Sequence, residues 1–191
     1  MDETSSERGS GAHPRNPIND LYRLADIKRW HIVRTSQDQS VAEHSYFVTL
    51  LAMRIASVIG APIGQIVHYA LLHDAEECWT GDIPSPVKHS MGESTLPIRE
   101  MMGDMFIEPN SLTKTIVKIC DIAESIKFLN KFAADKHGVT VRENLVENIA
   151  SFMEDCSEKF PSYDWQLVIA ELNEYYKDNQ THIDDYVRER L

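Results

Sequence analysis

The stretch HYALLHDAEECWTGDIPSPVK, residues 68–88, begins as a core helix and ends as an acidic loop. Tyr69, Ala70, Leu71 and Leu72 are apolar in succession, and His73, Asp74, Glu76 and Glu77 follow at once, with Asp82 and Lys88 beyond. Burying such charges without a partner costs several kcal/mol, so each needs one. At ~100° per residue of helix, His73 and Glu77 share a face with Ile66 and Ala70, and Asp74 sits beside them. An imidazole and two carboxylates therefore project into nearly the same space. A helix end with solvated acids accounts for Glu76, but poorly for an aspartate placed directly after Tyr-Ala-Leu-Leu-His. Mutually repelling carboxylates in a core are best stabilised by a cation, and mixed His/Asp ligation suits a divalent transition metal.

Outward from this stretch the chain reads as helical almost throughout, with no period-2 strand and no repeat. A short amphipathic segment covers about 19–28 and leads into the irregular RWHIVRT. SVAE at 40–43 fits a capping box, with Ser40 accepting from the Glu43 amide and Glu43 reaching back. The helix it opens carries His44, Phe47, Val48, Leu51, Ile55 and Val58 at spacings of mostly three and four, and Gly60-Ala61-Pro62 ends it. A helix over 63–78 follows, stopped near Gly81, and Pro84-Ser85-Pro86 is a loop. Further helices are predicted over 95–107, over SLTKTIVKICDIAESIKFLNKF (111–132), from the TVRE capping box at 140–143 to about Phe160, and over 163–188, broken near Gln180. The fold expected is an all-α bundle in one domain over 17–191, with 1–16 a disordered polar head.

Two further polar residues fall on apolar faces. His44 shares the stripe of Leu51 and Ile55; alone, it reads as a neutral core histidine bonded to a carbonyl. Asp121 follows Ile116-Val117 and Ile119-Cys120, with Val117, Glu124 and Phe128 on its stripe; its bland partners are Lys118 and Lys127, though pairing with Lys118 at i−3 is weak. Three helices thus each bring acid or imidazole to an apolar face. His44, His73, Asp74 and Asp121 suffice for one metal with positions left for water and substrate, and facing helices of a bundle project ligands inward in this way.

Composition bounds the rest. With 42% hydrophobic residues, 191 residues bury a sizeable core, and the formal charge of −11 argues against binding a nucleic-acid polymer. No apolar run approaches the ~18 residues of a membrane span. MDETSSERGSGAHPRN has no apolar h-region and is not a secretory signal. Cys78, Cys120 and Cys156 are far apart, so a cytoplasmic protein without disulfides is expected.

The order His44 … His73-Asp74 … Asp121 resembles the H…HD…D signature of the HD-domain metal-dependent phosphohydrolases. The likeness is nearest to the YfbR-like 5′-deoxynucleotidases and the phage dATP triphosphohydrolases (DatZ-like). It rests on Arg29-Trp30, EHS at 43–45, HDAEE at 73–77, TGDIPSPVK at 80–88 and VKICD at 117–121. The resemblance implies an HD-domain bundle in which His44, His73, Asp74 and Asp121 hold a divalent metal (Zn, Co, Mn or Mg). Glu77 then acts on the attacking water or leaving group, and Asp82 positions the sugar or a second metal. Arg29, Lys88 and Lys118 are placed near phosphates; their bland alternatives are surface charges or, for Arg29, a helix-end cation. Trp30 walls the sugar, unless it is a core aromatic. Ile32 lines the base pocket and disfavours a substituent at purine C2, unless it packs under its own loop.

The implied substrate is a small-molecule deoxynucleotide. The first reading is dATP cut to deoxyadenosine and triphosphate, with a 5′-deoxynucleotidase acting on monophosphates as the alternative; a non-catalytic nucleotide-binding module stands further off. A homo-oligomer, dimer or hexamer, is also implied, acting in the cytoplasm and, for a phage-encoded protein, in the host's. The aromatic-bearing last third either caps the core or forms the subunit interface.

Overall fold

Ser40 opens the helix on which the site is built. Its Oγ accepts from the Glu43 amide at 3.1 Å, and the Glu43 carboxylate accepts from the Ser40 amide at 2.9 Å. Two amides that a helix N-terminus would leave unpaired are thereby satisfied, as the capping box requires. The computed structural model describes residues 17–84, 87, 88, 90 and 103–177. Within them run α1 (Pro17–Leu21), α2 (Val41–Ile59), α3 (Ile63–Leu72), α4 (Glu77–Thr80), α5 (Ser111–Phe132), α6 (Lys136–Lys159) and α7 (Trp165–Tyr176). Short 3₁₀ turns cover Tyr22–Ala25 and Gly103–Met105. Among the described residues no strand forms; two isolated bridges, Lys28 with Ser40 and Thr35 with Ala133, tie the 28–40 segment down.

The fold is an all-α bundle. The long α5 lies inside it, packed on α2, α3 and α6. Ile55 of α2, Ile66 of α3 and Ile116 and Ile119 of α5 are wholly buried in one continuous core, completed by Ile149 and Met153 of α6 and Trp165 and Val168 of α7. All three cysteines are buried, none in a disulfide. No helix among the described residues is long and apolar enough to cross a membrane.

Several boundaries differ from expectation. α6 starts at Lys136, not at the 140–143 box, because Asp135 caps it first, its carboxylate accepting from the Gly138 amide at 2.9 Å. The expected 63–78 helix ends at Leu72 and resumes at Glu77. Of the helix expected over 95–107, only the Gly103–Met105 turn lies among the described residues, and the expected head and the region beyond 177 lie outside them. The 19–28 segment is split between α1 and the turn after it.

Candidate active site

The break between α3 and α4 falls on the His-Asp pair. His73 (φ −63°, ψ −26°) and Glu76 (φ −62°, ψ −21°) keep right-handed dihedrals. The hydrogen bonds shorten, however: the amides of Ala75, Glu77, Cys78 and Trp79 donate to the carbonyls three residues back, at 3.0–3.2 Å. With about three residues per turn, i and i+3 come into line. Asp74 is therefore brought over Glu77, where unbroken helix geometry would have paired His73 with Glu77. Lys88, arriving after the loop, takes both: its Nζ donates to Asp74 Oδ1 at 3.2 Å and makes a short hydrogen bond to Glu77 Oε1. The turn ends at Gly81, whose φ of 74° and ψ of 169° belong to a region that only glycine reaches without strain.

Into this turn comes His44 from α2 and Asp121 from α5. His44 Nε2 lies 3.2 Å from Asp121 Oδ1 and 3.9 Å from Asp74 Oδ2, and His73 Nε2 lies 3.3 Å from Asp74 Oδ2. Ligand atoms of His44, His73 and Asp74 all fall within 4.8 Å of one another. Ligands ~2.0–2.1 Å from a common ion stand about 3.0–3.4 Å apart, so the spacing suits a shared divalent cation. The tautomers suit it too. His73 Nδ1 donates to the Ala70 carbonyl at 2.7 Å, and His44 Nδ1 donates to Glu124 Oε2 at 2.5 Å. Each ring therefore turns its Nε2 lone pair inward, and both Nε2 atoms are buried without a hydrogen-bond partner. Two such nitrogens beside two carboxylates form a donor set a transition metal would satisfy.

The electrostatics are those of a site that holds positive charge. Burial disfavours charge on Asp121, but the adjoining His44 imidazole and the Lys118 ammonium outweigh it and hold its carboxyl well below the usual range. Lys118 Nζ donates to Asp121 Oδ2 at 2.8 Å, so the i−3 pairing forms. Burial likewise opposes ionisation of Asp74, yet His73 and Lys88 bring its pKa down to about 2. Glu77, only 1% exposed, is pushed the other way to about 8, by burial first and the Asp74 charge second, against the pull of Lys88. Its Oε2 is buried without a partner.

Behind His44 stands a polar network that carries little periodic signal. Glu124, one turn after Asp121 on the same stripe of α5, accepts from His44 Nδ1, from Gln39 Nε2 at 2.6 Å and from Arg29 Nη1 at 3.3 Å. Gln39, 4% exposed, accepts at Oε1 from Trp30 Nε1 at 2.9 Å and from Arg29 Nη1 at 3.1 Å. Arg29 Nη2 donates to Ser125 Oγ at 3.3 Å, and its guanidinium lies 5.0 Å from the centroid of Trp30. Trp30 has φ +67°, a conformation costing a non-glycine residue about 1–3 kcal/mol. Its ring lies parallel to Phe128 (5.8 Å, 3° between planes). Glu124 was legible as a polar member of the Asp121 stripe; Gln39, in a loop, carried no periodic signal.

The site opens on a cleft of about 1040 Å³. Arg29, Trp30, Ile32, His73, Asp74, Glu77, Asp82, Lys88, Lys118 and Asp121 line it, while His44 lies beneath, wholly buried. Glu76, expected to be solvated, is half-buried on the same wall. Ile32 is 60% exposed at the cleft and so does not pack under its loop. The cleft runs between α5 and α6, an antiparallel pair joined by three residues and registered where Arg142 Nη1 donates to Asn130 Oδ1 at 3.3 Å. At the C-terminal end of α5 the lining is Trp30, Ile32, Val33 and Val141; at its N-terminal end it is Ser111, Lys114, Lys118 and, from α6, Lys159. Asp121 falls between. Lys114, Lys159, Asn144 and Asn148 add polar lining to that already expected.

Three kinds of likeness accompany this geometry. Residues 18–105 match the family described as 5′-deoxynucleotidase YfbR-like. The chain is 32% identical to a dATP triphosphohydrolase of Acinetobacter phage SH-Ab 15497, over 89% of this chain and 96% of that protein. A 37% identity to the Escherichia coli 5′-deoxynucleotidase YfbR covers 36% of this chain and 38% of the relative. Among solved structures, Cyanophage S-2L HD phosphohydrolase (DatZ), bound to dA and one catalytic Zn²⁺ ion, superposes with a TM-score of 0.62 at 28% identity, covering 72% of this chain and 84% of that one.

Proposed function

Because the chain belongs to the HD-domain phosphohydrolase family, we propose that it hydrolyses dATP to deoxyadenosine and triphosphate. The observation that carries this reading is the layout of the cleft, with aromatic and aliphatic wall at one end, lysines at the other, and the His-Asp group between. A deoxynucleoside stacked at the Trp30–Ile32 end brings its α-phosphate to His73, Asp74 and Asp121. The β- and γ-phosphates then extend towards Lys118, Lys114 and Lys159. Lys159 has no carboxylate partner among the described residues, and Lys114 pairs only with exposed Glu108, at 3.5 Å. The exposed Ile32 beside Trp30 leaves no acceptor for a purine C2 amino group, which favours adenine.

His44, His73, Asp74 and Asp121 would hold the divalent ion; zinc is proposed from the mixed His/Asp donor set and from the zinc-bound phage relative. Once bound, the ion acidifies water and polarises a phosphoryl oxygen. The residues do the rest. Glu77 takes a proton at its unpartnered Oε2 as water oxygen joins the α-phosphorus. The bond from that phosphorus to the sugar 5′ oxygen breaks, and the 5′ oxygen leaves as the deoxynucleoside hydroxyl after accepting from Glu77 the proton it took from the water. Lys88 keeps Glu77 and Asp74 in register and faces the charge that develops on the phosphate, as phosphoryl transfer is mostly positioning and electrostatics. Asp82, half-buried on the same wall, is placed to steady the sugar.

The YfbR-like match favours a second reading, 5′-deoxynucleotidase, for which Lys88 and Lys118 suffice to meet a single phosphate. Product analysis on dATP, dGTP and dAMP with Zn, Mn, Co or Mg separates the two. Triphosphate from dATP supports the first reading, and orthophosphate from dAMP alone supports the second. In either case Glu77→Gln is expected to abolish turnover while retaining metal.

A further inference from the structure

We propose that Gln39 is a positioning residue that couples the aromatic wall of the cleft to the metal-ligand set, so that nucleoside and metal each strengthen binding of the other. This rests on the metal and nucleoside ends assigned to the cleft above. The connection is an unbroken series of hydrogen bonds. Trp30 Nε1 donates to Gln39 Oε1 at 2.9 Å, Gln39 Nε2 donates to Glu124 Oε1 at 2.6 Å, and His44 Nδ1 donates to Glu124 Oε2. His44 Nε2, at the other side of that ring, lies 3.2 Å from Asp121 Oδ1.

The amide of Gln39 has only one useful orientation here. Its oxygen meets two donors, Trp30 Nε1 and Arg29 Nη1, and its nitrogen meets a carboxylate. A carboxylate in its place would oppose Glu124, and an apolar group would leave the indole and Glu124 each short of a partner in a buried setting. The backbone ties the same groups together: the Arg29 amide donates to the Gln39 carbonyl at 2.8 Å, and Gln39 directly precedes the Ser40 cap of the helix that carries His44. Trp30 is held in a left-handed conformation by this bond, by its stack on Phe128 and by its carbonyl accepting from the Val33 amide. Whatever stacks on the indole therefore bears on Gln39, and through Glu124 on the direction of the His44 lone pair. Outer partners of a ligating histidine commonly set metal affinity by 10–100-fold. Coupling between two ligands is reciprocal, with typical factors of about 5–150.

The test is Zn²⁺ affinity of the full chain by competition with a chromophoric chelator, with and without deoxyadenosine. Wild type is expected to bind Zn²⁺ about 5-fold or more tightly with the nucleoside present. Trp30→Phe keeps a stacking ring and deletes only the indole donor; it is expected to weaken Zn²⁺ binding and to lose the nucleoside increment. Gln39→Leu is expected to weaken Zn²⁺ binding about 10-fold. Ile32→Ala alters the same wall with no bond to Gln39 and is expected to keep wild-type Zn²⁺ affinity. The proposal is overturned if Trp30→Phe binds Zn²⁺ as wild type does, or if Ile32→Ala weakens it equally. Melting of the metal-free variants checks folding, and Trp30→Phe decides the matter should Gln39→Leu fail to fold. Triphosphate release from dATP with unaltered Zn²⁺ affinity in Trp30→Phe would sink this coupling and leave the proposed reaction standing; coupling without hydrolysis would do the reverse.

Discussion

The two histidines of the site present the same nitrogen to the same point, Asp74 Oδ2, and are held by opposite means. His73 is oriented by its own chain: its Nδ1 donates to the carbonyl of Ala70, three residues back, inside the turn that also aligns Asp74 with Glu77. His44 is oriented by a carboxylate eighty positions away, Glu124, itself held by Gln39 and Arg29 from a third segment. A locally held ligand survives as long as its turn does. A ligand held across helices depends on every partner, because a buried carboxylate that loses one is left with desolvated charge.

The largest effects should fall where this difference vanishes. His44→Ala, His73→Ala and Asp121→Ala each remove a donor, and each should lose both stoichiometric metal, by elemental analysis, and activity. Activity retained in Asp121→Ala would sink the ligand assignment. Next comes the change that breaks only the tertiary side. Glu124→Gln should lower metal affinity by about 10–100-fold, read by chelator competition. His73 offers no equivalent target, since its partner is a backbone oxygen.

Smaller effects should sharpen the contrast through stability. Gly81→Ala meets no atom within 4 Å, so its cost is backbone strain alone, about 1–3 kcal/mol at φ 74° and ψ 169°. It should lower the melting temperature and, by disturbing the turn of the local histidine, metal affinity as well. Ser40→Ala removes the cap on the helix that carries His44, for about 0.5–2 kcal/mol, or roughly 2–4 °C per kcal/mol in a chain of this size. Its metal affinity should change little, because Glu124, not the cap, aims the ring. Smallest of all, Arg54→Ala breaks the paired bonds to Glu171 (2.8 and 2.7 Å) away from the cleft, and should leave metal affinity and turnover as they are.

What could be seen in the sequence follows the same division. The α2 cap, the apolar stripes and the helix over 111–132 are local patterns, and they form with the expected bounds because side chains within one or two turns decide them. The start of α6 was misplaced by a second local pattern of equal merit: Asp135 offers a cap before the 140–143 box can. The pairing of Asp74 with Glu77 was missed because a helix period was carried through four residues that tighten. Arg29, expected near phosphate on likeness, lines the cleft, and its guanidinium is also engaged with Glu124, Gln39 and Ser125.

By itself, then, the sequence determined the helix over 111–132, the helix that Ser40 opens with its cap, and which polar residues lie on apolar faces, since periodicity and capping act over a few residues. It also raised the expectation of a cation beside the acids around His73, because unpaired buried charge is costly wherever the chain carries it. Only the tertiary structure decided which Nε2 atoms face one another and that Gln39 joins Trp30, through Glu124, to His44. Only there, too, do the lysines of α5 and α6 meet at one end of the cleft. Those facts depend on helix register and on distances between segments far apart in the chain, and no local pattern encodes them.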